Sequence, residues 1–199
     1  MPPHRTPRFQ LTRLTRWSGR EPRRLFWPWV ACVMVGNMIA GMVAGVPVVV
    51  GIARNMAAFA QSHPERTTVT SGPDHYSMQI DGPVPPELMM EPMRWFVPLV
   101  AVVGLLSVLF LAASVVRRLH DAGRRGWWGL LPLPFLVTGM IAFGLMFDQI
   151  GQPGVVPDMA PFALLFGNNI AYLVALIVLV VQLCRPSDPG PNRFGPPLD

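Results

Sequence analysis

Residues 116–128 read Val-Arg-Arg-Leu-His-Asp-Ala-Gly-Arg-Arg-Gly-Trp-Trp. Four arginines, a histidine and an aspartate are packed here between two apolar stretches. A His-Asp pair invites a hydrolase or metal reading. Helix geometry weighs against it for His120 and Asp121, because successive residues point about 100° apart and do not share a face. No second His/Asp motif completes a ligand set. Arg117 and Asp121, four apart, are instead spaced to pair along a helix. Gly123 can take the left-handed conformation that ends that helix. The chain also lacks a G-x-x-x-x-G-K phosphate loop. No catalytic residue, metal or cofactor is therefore expected. His63 and His75, twelve apart and without nearby ligands, read as solvated loop residues.

The elements around these residues are set by composition. The chain has 199 residues, of which 51% are hydrophobic and only 14% charged. Mean hydropathy is +0.40. The charges avoid several long blocks, which is the pattern of a membrane protein. The expected fold is all-α and polytopic, with four transmembrane helices at about 27–52, 95–116, 127–147 and 162–184. A basic segment, 1–26, precedes them; the apolar block behind it is about twice as long as a signal h-region and no convincing cleavage site precedes a soluble domain, so a cleaved leader is not expected. Pro22 suits the first turn of the first helix, and Pro47 should bend its far end. Pro132 and Pro134 should unwind the start of the third span. Residues 53–94 carry six prolines with little periodicity and are expected to be irregular. Residues 148–161 read as a short acidic link, and 185–199 as a tail rich in proline and glycine.

Thirteen of the sixteen basic residues, all arginine, fall in the N-terminal segment, the 117–126 hairpin and the tail. The positive-inside rule then expects both termini in the cytoplasm and the 53–94 loop outside. Trp27, Trp95, Trp127 and Trp128 stand at span ends, where indole rings favour the headgroup region. Cys32 and Cys184 belong to no CxxC pair, and no disulfide is expected.

None of the four spans contains a charged residue, which counts against a pump or ion-coupled carrier. Their amides, Asn37, Asn168 and Asn169, are expected to act as interhelical hydrogen-bond glue. Gly36, Ala40 and Ala44, and likewise Gly41 and Gly45, recur every fourth residue and should let the first helix pack closely against another.

Three stretches together resemble the domain-of-unknown-function 805 family of small bacterial inner-membrane proteins. The first is Gly19-Arg20-x-x-Arg23-x-x-Phe26-Trp27. The second is Arg117-Arg118-Leu119-His120-Asp121, followed by Gly123-Arg124 and Gly126-Trp127-Trp128. The third is Gly190-Pro191-Asn192-Arg193-Phe194-Gly195-Pro196. Arg125 stands where the family usually has serine, and Pro197 where it often has aspartate. The resemblance implies a multi-pass inner-membrane protein and leaves its activity open.

On the expected topology the three motifs reach one cytoplasmic face. Asp121 should be a central acceptor there, paired with Arg117 or with an arginine of the first motif, while Asn192 and Arg193 close the cluster. The leftover positive charge should hold anionic headgroups or an acidic partner. The basic segment lies beside a span, so nucleic acid is not expected as a partner. The reading is a non-enzymatic binding, assembly or lipid-interaction module of the bacterial inner membrane, with an unknown protein partner or self-association. The alternative is a subunit of a small oligomeric channel or transporter.

Overall fold

The computed structural model describes residues 6–72, 76–150 and 159–197. It is mostly helical. A short helix α1, Thr6–Leu11, is followed by two long ones, α2 (Arg23–Ser62) and α3 (Glu87–Asp121). A 3-10 turn at Gly126–Leu130 leads into α4 (Leu133–Ile150), and α5 (Met159–Leu183) ends the helical part. Among the described residues four helices are long and apolar enough to cross a membrane. At 1.5 Å per residue, the 40 residues of α2 extend about 60 Å. That is about twice the hydrocarbon thickness, so this helix projects beyond any bilayer it crosses.

The helices form two antiparallel pairs, α2 along α3 and α4 along α5. The pairs join where α2 begins and α3 and α5 end. There Phe26, Leu119, Leu179 and Leu183 are buried together, with Trp27, Val30, Val115 and Trp128 against them. Most large apolar side chains elsewhere on the helices face outward, as a lipid-facing surface requires. The Trp29 indole fastens α2 to α3 by donating to Phe110 O at 3.1 Å.

Three expectations are corrected. The stretch 53–94 is not irregular, and the fold is not purely helical. It continues α2 to Ser62, forms an antiparallel hairpin of β1 (Thr67–Ser71) and β2 (Tyr76–Ile80), and starts α3 at Glu87. Thr67 faces Ile80 and Val69 faces Met78, an alternation that mostly polar side chains had masked. Arg66 secures the hairpin's base by donating to Asp81 O and Pro83 O, its guanidinium over the Phe59 ring. The residues linking the strands, 73–75 with His75, and most of the acidic link, 151–158, lie outside the described residues.

Second, the small-residue stripe does not bring α2 tightly onto α3. A Cβ built on Gly36, Gly41 or Gly45 meets no atom within 4 Å, and Ala40 and Ala44 border open grooves. The close approach is at Gly51, where a Cβ would stand 3.0 Å from the Pro92 ring. Third, Asn169 does not bridge helices, since its amide donates to Leu165 O within α5. Asn37 and Asn168 do bridge, to Ser107 of α3 and Phe135 O of α4. Pro132 meets the expectation made of it: the chain turns through 3-10 and turn geometry before α4 begins.

Gly51→Ala should therefore destabilise the protein in detergent by about 1–3 kcal/mol through overpacking against Pro92. Gly144→Ala, with open space at its Cβ, should be neutral or slightly stabilising. Thermal unfolding of the two variants checks the contrast.

Candidate functional site

The polar centre is built on the last two turns of α3. Arg117, Arg118 and Asp121 are each no more than 1% exposed there. Arg20 and Glu21, just before α2, are buried with them. Such burial of charge is costly unless every group is paired and hydrogen-bonded, and the geometry meets that condition in two linked halves.

In the first half Asp121 is the hub. Its Oδ1 accepts from Arg20 Nε at 3.1 Å, and its Oδ2 accepts from Arg118 Nη1 at 2.5 Å and from the Ser187 hydroxyl. Arg20 spends its remaining donors on backbone oxygens: Asp188 O and Gly190 O at 2.6 Å each, and Asp121 O at 3.3 Å. Arg118 donates to Leu183 O at 3.0 Å and to Arg185 O. These are carbonyls at the C-terminus of α5, which lack partners inside the helix and favour a cation. Asn192 closes the edge, donating to His120 O at 3.0 Å and to Asp188 Oδ2 at 2.9 Å.

In the second half Glu21 is the hub. Oε2 receives Arg117 Nε at 2.9 Å, and Oε1 receives Ser114 Oγ and Gln10 Nε2 at 2.6 Å each. Arg117 reaches on to Arg13 O, Arg16 O and Gln10 Oε1, and so ties down the N-terminal arm. Burial pushes the Glu21 carboxyl up from its ordinary value, against the opposing pull of Ser114, Arg117 and Gln10.

Glycine shapes the turn that follows. Gly123 has φ +69°. Arg124 N bonds to Leu119 O at 2.8 Å, and Gly123 N to His120 O at 3.1 Å. Together these form a Schellman cap, which expects glycine at that position. Gly126 lies against α3: a Cβ there would stand 2.7 Å from Val116 Cγ1.

The expected cluster residues come together with two changes of role. Arg117 does not pair with Asp121. It points to the N-terminal arm and takes Glu21, whose backbone N–H also bonds to Arg117 O at 3.1 Å. Arg118, three residues before Asp121, is the intrahelical partner. Arg193 does not close the cluster either. It is exposed and lies over the Phe194 ring, 4.7 Å from its centroid. Phe194 in turn stacks on His120, with centroids 3.8 Å apart.

Gly19 and Gly195 contribute carbonyls, to His120 Nδ1 at 3.3 Å and Arg20 Nη1 at 3.5 Å. Arg23 donates to Arg185 O at 3.0 Å. Phe26 and Trp27 serve the apolar core, and Trp127 stacks on Trp128. Glu21, Gln10, Ser114, Ser187 and Asp188 were missed. Only Glu21 carried a usable signal, as a lone acid among the arginines of the N-terminal segment.

Chemically, the arrangement is a structural clamp. Asp121 accepts from Arg20 on one oxygen and from Arg118 and Ser187 on the other. His120 and Asp121 take separate partners rather than each other. Among the described residues no three of His, Cys, Asp or Glu are grouped to hold a metal. The site defines a multi-pass helical protein whose helix ends are clamped by buried arginines. Residues 14–196 match the family described as a protein of unknown function, DUF805, and the chain belongs to that family. No curated protein and no solved structure matches it significantly.

Asp121→Asn and Arg20→Gln should each cost about 3–5 kcal/mol, the scale for leaving a buried charge without its partner. The double variant should lose less than the sum, with a coupling of about 0.5–3 kcal/mol. Strictly additive losses in a thermal double-mutant cycle would contradict a shared network.

Proposed function

We propose that this protein is a lipid-interaction and assembly module of the bacterial inner membrane, with both termini and the 117–126 turn in the cytoplasm. One observation carries the reading: the arginines at this end include a buried set and an exposed set, with Arg13 and Arg124 half-buried between them. Arg20, Arg117 and Arg118 are buried and consumed by the chain itself. Arg8, Arg16, Arg23, Arg24, Arg125, Arg185 and Arg193 are exposed. The first group makes the platform rigid, and the second presents positive charge around it.

Exposed arginines beside a membrane are drawn to anionic headgroups by roughly 1 kcal/mol each, and salt weakens the attraction. Trp17 and Trp127, both exposed at this end, suit the headgroup layer. An enzymatic role has nothing comparable behind it: His120 and Asp121 take separate structural partners.

Two measurements test this. Reporter fusions at residue 199 and within 60–85 should give opposite signals, and equal signals would end the four-span orientation. In nanodiscs mixing neutral and anionic phospholipid, the protein should retain anionic lipid in a salt-sensitive way. Arg24→Gln with Arg125→Gln should lower that retention by roughly thirtyfold, since two contacts of ~1 kcal/mol are removed. Unchanged retention would sink the headgroup reading.

A further inference from the structure

The seam between α2 and α3 is hollow at membrane depth. Two grooves of about 400 and 230 Å3 follow one another along it and share Asn37, Ala40 and Val103. They run from Trp29 to Ala44, about 22 Å of helix. Their lining is apolar except for one polar pair, Asn37 and Ser107.

That pair is incompletely satisfied. Ser107 Oγ is 2.6 Å from the Asn37 amide and 2.7 Å from Val103 O. A hydroxyl has one proton, and Val103 O can only accept it. The Asn37 amide therefore meets Ser107 with one atom, and either flip of the amide leaves further capacity unspent. Among the described residues it has no other partner. Asn168 and Asn169, by contrast, each donate to a carbonyl oxygen.

An amide edge facing hydrocarbon is costly unless something supplies both an acceptor and a donor. A lipid chain supplies neither. The amide of another Asn37 supplies both, and a two-fold axis along the membrane normal places it at the same depth. The small residues alone would say only that a helix can approach; the amide says which one. Gly36 and Gly41 are exposed beside it, with nothing at their Cβ positions.

We propose that a second copy of this chain fills the groove, α2 against α2, with the two Asn37 amides paired. The contact is independent of the anionic headgroups proposed above.

The protein carries its own reporter. Cys32 is exposed and lines the same groove. The Cys184→Ser variant should be reconstituted in neutral phosphatidylcholine vesicles and oxidised. The expected product migrates at about twice 21.9 kDa and disappears in Cys32→Ser. Asn37→Leu should lower the cross-linked fraction by roughly tenfold, while Asn37→Gln keeps most of it.

Energy transfer between labelled copies, diluted with lipid, gives a second reading that needs no thiol. Asn37→Leu should still unfold in one cooperative transition, because Ser107 keeps its bond to Val103 O and no charged group is stranded. The proposal is overturned by a monomer at every lipid dilution. A dimer that Asn37→Leu leaves intact overturns it too, as does association that requires anionic lipid.

Discussion

Guanidinium groups removed from water must have their donors met, and this requirement organises the end of the molecule where α2 begins and α3 and α5 end. Three buried arginines stand against two buried carboxylates. The surplus is met by backbone. Arg118 takes Leu183 O and Arg185 O, Arg20 takes Asp188 O and Gly190 O, and Arg117 takes Arg13 O and Arg16 O. These carbonyls lie at a helix end or in turns, where the backbone has acceptors to spare. Orphan acceptors and excess donors thus cancel each other, which explains how so much charge is buried in so small a core.

The requirement also bears on how the helices hold together. Lipid is as apolar as leucine, so burying leucine against leucine within a bilayer gives little net drive for association. The two helix pairs accordingly share little along their length and meet at one end. There hydrogen bonds do what the hydrophobic effect does in a soluble core. Asp121 alone joins the segment before α2, the end of α3 and the chain beyond α5.

Much of this was legible in the residues. The absence of charge from four long stretches marked the helices, and three scattered motifs marked a common face. Asp121 could be singled out because acids are scarce on that side. Less legible was the choice of partner. Arg117 and Arg118 are adjacent and chemically identical, and only the path of the N-terminal arm decides which one meets Glu21. Gln10, Ser114 and Ser187 had no signal, because neutral donors gain meaning only from what stands opposite them. The β1–β2 hairpin was masked for a different reason: with threonine and serine on β1 and serine and glutamine on β2, its alternation carries little hydrophobic contrast. The stripe of small residues led to an expectation of close packing that α3 does not meet, because small side chains permit approach without bringing the neighbouring helix in.

Arg117 and Arg118 stand side by side on one turn of α3, yet one fastens the N-terminal arm and the other the chain leaving α5. This has a consequence for biogenesis. The ribosome makes the arm first, the arginines about a hundred residues later, and Leu183 to Gly190 well after that. Segments generally begin to organise in the order they are made, but this core cannot. Its Glu21 half is completed only when α3 arrives, and its Asp121 half only when the last helix has been delivered. Insertion of the helices must therefore precede assembly of the polar core. A chain interrupted before α5 would display Arg20 and Arg118 with Asp121 but without their later backbone acceptors, a feature by which an unfinished copy differs from a finished one.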